Sequence, residues 1–138
     1  MSFDLAVFDP AVAPTECVGF MAWYEAQTDW LETLEDDDDP ATASPPLRRW
    51  YDNMRQTFPA MNGPDATDDE DNTRITGYSI RAAFIYADFR WNHADEAYEV
   101  ALKWARQEQL GFFDLSNSGN VWLPVKGGDY RVLNCAAA

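Results

Sequence analysis

The sequence predicts an α+β fold in which helices pack on one face of a mainly antiparallel sheet. Segments whose apolar side chains recur at every second position alternate with segments in which they recur at helical spacing. Their order is strand, helix, helix, strand, strand, helix, strand, strand, which is typical of the α+β class. With the second helix taken as an insertion, this order matches the split βαβ pattern of ferredoxin-like folds.

The length favours one domain. A chain of 138 residues is near the commonest domain size and is long enough to bury a core. Its hydrophobic fraction of 46%, with six Trp, six Tyr and eight Phe, is unlike that of a disordered acidic chain, which lacks aromatic residues. We therefore expect a single domain over residues 1–138, with acidic loops at about 35–44 and 60–73.

The first half of the chain contains one predicted strand and two predicted helices. Residues 2–8 place apolar side chains on one side at period two, which indicates a strand. A helix opens at residues 14–16 and runs through about Leu34, with most of its apolar residues near one face. Ser44 followed by two prolines is a start signal for the second helix, which Pro59 ends.

The second half contains most of the predicted sheet. A helix is expected from about Asn92, because Asn92 can cap it and acidic residues occupy its early turns. Small alanine side chains line one face of this helix and would let it lie close to a sheet. Strands are predicted at residues 75–80, 82–89, 112–115 and 121–123, with a short final strand at 130–133.

Clustered negative charge is the most informative feature for function. The formal net charge is −14, and 11 of the 24 acidic residues lie in two short runs. Such a field repels phosphate groups and anionic lipids, which argues against nucleic-acid or membrane partners. No apolar run approaches the roughly 20 residues of a spanning helix. The N-terminus shows no basic region followed by a long apolar stretch, so we expect a cytoplasmic protein.

The acidic runs predict a surface that attracts a basic protein. Dispersed charge would keep a protein equally soluble, whereas clustered carboxylates create a field that steers a cationic partner. Tryptophans beside these loops would supply anchors of the kind that dominate interfaces. The predicted partner-binding residues are Glu35, Asp36, Asp37, Asp38, Asp39, Asp68, Asp69, Glu70 and Asp71, together with Trp30 and Trp50.

No residue pattern indicates catalysis, a metal site or a cofactor. The lone His93 has no serine or cysteine beside it, and we expect it to face solvent or bond locally. Neither acidic run has the spacing of an EF-hand loop. Glu25 and Asp88, which have apolar neighbours, are better candidates for acid–base chemistry than the solvated runs. Cys17 and Cys135 do not form a Cys-x-x-Cys pair, so we expect a buried thiol and a tail thiol.

Several segments resemble a set of small acidic bacterial proteins. They are residues 2–8 (SFDLAVF), 58–64 (FPAMNGP), 111–114 (GFFD) and 122–124 (WLP). That set is similar in kind to the immunity proteins encoded beside polymorphic toxins, including toxins of the type VI secretion system. The resemblance implies a cytoplasmic protein without catalytic activity or cofactor. It implies that the protein binds a cognate, basic toxin domain and occludes its active site. It assigns no functional residue.

Two other classes of protein fit the same sequence. A small enzyme or ligand-binding protein would use an apolar pocket between the sheet and the helices, with at least one carboxylate of raised pKa. A homo-oligomeric structural protein would have no partner of opposite charge. The acidic clustering favours the toxin-binding class over both.

Overall fold

A computed structural model describes residues 2–33, 40–61, 63–69, 71–116, 118–126 and 128–135, with the backbone alone over residues 28–33. The described residues form three α-helices and six strands in the predicted order. They are β1 (Ser2–Phe8), α1 (Cys17–Thr33), α2 (Pro45–Met54), β2 (Gly77–Ile80), β3 (Phe84–Arg90), α3 (Ala94–Glu108), β4 (Gly111–Phe113), β5 (Val121–Pro124) and β6 (Tyr130–Leu133). Short 3-10 turns at Pro40–Thr42 and Trp91–His93 precede α2 and α3. The predicted α+β class and element order are confirmed.

All six described strands form one antiparallel sheet in the order β2-β3-β1-β4-β5-β6. Because each neighbour is antiparallel, β1 runs parallel to β2 and β3 runs parallel to β4, with one strand inserted in each pair. The part β2-β3-β1-β4 is therefore built from two interleaved split βαβ units, the ferredoxin-like arrangement. Strands β5 and β6 extend the sheet beyond β4.

The helices cover both faces of the sheet, which corrects the expectation of a single covered face. Helices α2 and α3 pack on the face that carries Leu5 and Val7, which we call the first face. Helix α1 packs on the second face, with Ala6 and Phe8. All four of these β1 side chains are fully buried, so each face needs a cover. The helix inserted into the ferredoxin-like pattern is therefore α1, and not the second helix as expected. Helix α2 is the crossover helix between β1 and β2.

Helix α3 lies close to the sheet because its inward side chains are small. Ala97, Ala101 and Ala105 are fully buried on one side of the helix, as predicted from their spacing. The helix ends at Gln109, which adopts a left-handed conformation with φ of 57°. The left-handed residue reverses the chain immediately after the helix. Strand β4 therefore begins only two residues later, at Gly111.

The two cysteines form a disulfide, and the expectation of two separate thiols is wrong. Cys17 begins α1, and Cys135 follows β6. Their Cα atoms are 5.3 Å apart, within the range that a disulfide spans. The pairing joins residues separated by 118 positions, so it follows from the topology and leaves no local pattern in the sequence.

Candidate partner-binding surface

The second predicted acidic loop lies at one edge of the sheet, beside β2. Its ends are fastened by a parallel bridge between Ala60 and Thr76. The Met61 N–H also donates to the Thr76 carbonyl at 2.8 Å. Within the loop, the described carboxylates at 68, 69 and 71 are exposed. Three of the predicted partner-binding residues, Asp68, Asp69 and Asp71, are therefore available to a partner.

Asp65 belongs to the same acidic run but faces the protein. Its Oδ2 accepts a hydrogen bond of 3.2 Å from the Tyr51 hydroxyl, and its Oδ1 is 3.8 Å from Arg55 Nη1. The Arg55 guanidinium also lies over the Tyr51 ring, 5.0 Å from its centroid. Burial, followed by the charge of Asp65, raises the pKa of Tyr51. This carboxylate fixes the start of the acidic loop against α2.

Several predicted contact residues lie outside the described part of the chain. They are Glu35, Asp36, Asp37, Asp38, Asp39, Glu70 and the side chain of Trp30. Their role in binding stays a prediction.

Trp50 is a core residue, which corrects its assignment as a partner anchor. Its side chain is fully buried between α2, α3 and the sheet. The indole Nε1–H donates to the Ala101 carbonyl at 3.0 Å, and the ring meets Tyr78 edge-on. Trp50 shares the apolar face of α2 with Leu47 and Met54, so no partner can reach it while the domain is folded.

Trp91 provides the exposed aromatic surface instead. Half of its side chain, 50%, is accessible to solvent. The ring rests edge-on against Phe3, with centroids 5.9 Å apart. Met61 is similarly exposed, at 56%, so the same end of the molecule presents two large apolar side chains. Trp91 is the first residue after β3. The alternation of buried and exposed side chains ends with the strand, so the sequence pattern does not indicate whether Trp91 is buried.

Two shallow grooves open at this end of the sheet. One, of about 250 Å³, is lined by Phe3, Ala94, Asp95, Tyr98 and Glu99. The other, of about 370 Å³, is lined by Ser2, Met61, Ile75, Asp88, Phe89 and Arg90. Each combines aromatic or aliphatic walls with carboxylates, and the second also includes one exposed arginine.

Side-chain contacts hold the acidic loop beside Trp91. Thr73 Oγ1 and His93 Nε2 share a hydrogen bond of 2.8 Å. Arg74 Nε donates to Glu96 Oε1 at 2.8 Å. These contacts tie the end of the loop to the 3-10 turn that carries Trp91 and to the first turn of α3. The bonded state of His93 agrees with the local role expected for it.

The assembled surface combines apolar anchors with a rim of negative charge. We name it the acidic face and define it by Asp68, Asp69, Asp71, Met61, Trp91, Asp95 and Glu99. Two of its carboxylates, Asp95 and Glu99, are exposed on α3. Asp95 lies in the first turn, where it stabilises the positive end of the helix. An exposed tryptophan within a negative rim is suited to a cationic protein surface.

A second carboxylate group lies on the second face of the sheet, at its centre. Asp4 on β1 is paired with Asp88 on β3, and Asp4 Oδ2 accepts a 2.6 Å hydrogen bond from the Tyr86 hydroxyl. Burial and, to a smaller extent, the charge of Asp4 raise the pKa of Asp88 to about 6. Burial and Asp4 likewise raise the pKa of Tyr24 to about 12. A carboxyl with a pKa near neutrality is suited to acid–base chemistry, which makes Asp88 the candidate for such a role among these residues.

Neither a metal centre nor a membrane-spanning helix is found in the described part of the chain. No three His, Cys, Asp or Glu side chains there are grouped as metal ligands would be. No helix there has both the length and the apolar character needed to cross a bilayer.

Comparisons with protein-family models, curated proteins and solved structures found no match to this chain. The function must therefore be argued from the acidic face and the central carboxylates themselves.

Proposed function

We propose that this protein is a bacterial immunity protein that binds a cognate, cationic toxin domain and occludes its active site. The observation that carries the proposal is Trp91, which is half exposed and lies in the turn that the Thr73–His93 hydrogen bond ties to the end of the acidic loop. The resemblance of several segments to small acidic proteins of that class points the same way. The proposal requires no cofactor, and the cytoplasmic location expected from the sequence is part of it.

On the acidic face, the carboxylates would speed the encounter with the toxin, and the apolar side chains would supply most of the affinity. The net charge of −14 and the cluster of exposed carboxylates would accelerate encounter with a basic domain. Trp91 and Met61 would then supply the desolvated contact that gives most of the affinity, since interface energy is concentrated in a few aromatic anchors. Carboxylates on both sides of Trp91 would select arginine or lysine on the toxin.

Co-expression with the product of the gene immediately upstream tests the proposal, because immunity genes normally follow their toxin gene. We expect the wild-type protein to restore growth and to be recovered bound to that product. The variant Trp91→Ala should lose protection, whereas Val18→Ala, which alters an exposed apolar residue on α1, should retain it. Absence of both protection and binding by the wild-type protein would refute the proposal.

A small ligand-binding protein or enzyme is the second candidate, and the Asp4–Asp88 pair is the observation that favours it. A carboxylate with a pKa of about 6 is suited to proton transfer near neutral pH, and Asp88 lines the 370 Å³ groove. A fragment screen followed by NMR tests this candidate. Ligand-induced shifts at the Gly77 amide, which donates to Asp88 Oδ1, would favour it, and a screen without such shifts would count against it.

A further inference from the structure

The disulfide joins the start of the helix that covers the second face to the chain just beyond the edge strand β6. Cys17 is the first residue of α1, and Cys135 lies two positions beyond β6. Strand β6 is an edge strand that pairs only with β5 among the described strands. Arg131 Nη2 also donates to the Thr15 carbonyl, which precedes α1, over a long distance of 3.4 Å.

Helix α1 is otherwise held on the sheet by aromatic side chains. Phe20 contacts Phe8 and Phe113, with ring centroids 4.9 and 5.1 Å apart. Trp23 and Tyr24 both contact Phe84, at 5.8 and 5.7 Å. Only Phe20 on α1 is fully buried among the described side chains of this helix. Among its described side chains, the aromatic contacts of α1 are therefore concentrated in one ring cluster, which begins one turn after Cys17.

The disulfide is reachable from solvent. Both cysteines are half-buried, and they form part of the wall of an open groove of about 350 Å³. Its lining residues are Cys17, Val18, Met21, Ala22, Glu25 and Cys135. Val18, in the same wall, is 81% exposed. The open groove gives a small thiol a route to the disulfide.

We propose that Cys17–Cys135 is a reversible redox clamp, which links the start of α1 to the chain just after β6 when oxidised and breaks that link when reduced. The inference rests on the cytoplasmic location of the proposed function, because disulfides in a reducing cytoplasm are usually transient and catalytic or redox-sensing. A bond in the wall of an open groove fits that pattern. The acidic face lies beside β2, at the opposite edge of the sheet from β6. The clamp therefore acts away from the partner-binding surface.

The reaction is an ordinary exchange with a cellular dithiol or with two molecules of glutathione. A reductant thiolate attacks one cysteine sulfur, the Sγ–Sγ bond breaks, and the displaced cysteine thiolate takes up a proton. A second reductant thiol then attacks the mixed disulfide and frees the other cysteine. Two electrons pass to the protein, and the reductant leaves as a disulfide. Oxidation of the two thiols by glutathione disulfide reverses both steps.

Hydrogen exchange on the wild-type protein tests the clamp without any partner. We expect reduction to speed amide exchange in α1 and β6 by at least tenfold, while α3 and β3 keep their rates. Unchanged exchange in α1 would overturn the proposal, since the helix would then be held by its rings alone. Equal acceleration in α3 would also overturn it, because the bond would then support the whole fold.

Redox equilibration supplies the second readout. In buffers rich in reduced glutathione we expect both cysteines to become alkylatable, and in buffers rich in glutathione disulfide we expect the pair to reform. A disulfide that persists in both buffers would show that the bond is not reversible. If no disulfide forms in either buffer, the two cysteines are not paired and the proposal fails. The double variant Cys17→Ser and Cys135→Ser should reproduce the exchange pattern of the reduced protein. These outcomes do not depend on toxin binding, so they can fail while the proposed function stands.

Discussion

Asp4 on β1 faces Asp88 on β3 in the register of the central strands, so that the two carboxylates are neighbours on the second face of the sheet. Like charges directly opposite on neighbouring strands are destabilising. The Tyr86 hydroxyl satisfies one oxygen of Asp4, and the Gly77 N–H donates to Asp88 over 3.3 Å. The pair therefore imposes a cost on the folded state that the surrounding hydrogen bonds only partly offset.

Asp88→Asn should stabilise the protein at neutral pH. The folded state raises the pKa of Asp88 from 3.8 to about 6, so it binds the proton more tightly than the unfolded chain does. Stability is therefore lost as the pH rises from 3.8 through 6, and the full penalty is present above that window. We expect a gain of about 1 kcal/mol in unfolding free energy at pH 7, reduced for partial exposure.

Urea denaturation across this pH range measures the effect. The gain should disappear below pH 3.8, where both states carry the protonated acid. The exposed Asp129 supplies a matched control, because Asp129→Asn changes the charge equally without altering the pair. A benefit of D88N that is the same at every pH would contradict the assigned cause.

Trp50→Phe and Trp91→Phe should differ sharply in stability. The first removes the hydrogen bond to Ala101 and leaves a cavity in a fully buried site, which should cost about 1–3 kcal/mol. The second alters a half-exposed ring and should change the unfolding free energy by less than about 0.5 kcal/mol. Urea melts of both variants provide the comparison, and equal losses would show that the two tryptophans are not divided between core and surface.

Neutralising Asp68 and Asp69 to Asn should slow association with the cationic partner. Because steering is electrostatic, we expect the association rate to fall about tenfold at low salt and to approach that of the wild type at high salt. Stopped-flow kinetics over a salt series gives the measurement. The control double variant Glu25→Gln and Asp129→Asn changes the net charge equally, at other exposed positions. If both variants slow binding equally, net charge and not the acidic face governs encounter.

Gly111→Ala should destabilise the fold, whereas Gly19→Ala should be nearly neutral. A Cβ atom at Gly111 would run into the ring of Phe8, which is itself fully buried, and such overpacking typically costs about 1–3 kcal/mol. At Gly19 the new atom would displace the exposed Glu16 carboxylate, which accepts from the Gly19 N–H at 2.6 Å. The loss of this capping bond would be offset by the preference of alanine for the helix. Thermal melts should therefore show a large shift for the first variant and a small one for the second.

The periodicity of apolar residues was sufficient to predict the helices and strands. It was not sufficient to predict on which face of the sheet each helix packs. The alternation of residues 2–8 and the alanine spacing of α3 each depend on local geometry, and both are confirmed. The position of α1 on the second face depends on which side the chain takes after β1, and no local pattern specifies that side. The Cys17–Cys135 bond depends on the same long-range geometry.

The negative charge of the candidate site could be predicted from the sequence. The identity of its exposed tryptophan could not. Exposure of Asp68, Asp69 and Asp71 follows from a polar loop rich in acid. The apolar face of α2 already indicated burial for Trp50, and that pattern was the better guide. Trp91 follows the end of β3, where its exposure depends on the packing of Phe3 and the loop beside it.

The central position of β1 has a consequence for how the chain is made. Ser2 pairs with Arg90, and Ala6 pairs with Phe113, so this strand is synthesised long before either partner strand exists. Chains are synthesised at about 5–20 residues per second. The apolar side chains of β1 therefore remain without a neighbouring strand for several seconds. A sheet with such distant pairings also closes slowly. The interval during synthesis, when an apolar strand lacks both neighbours, is the period in which this protein is most exposed to aggregation.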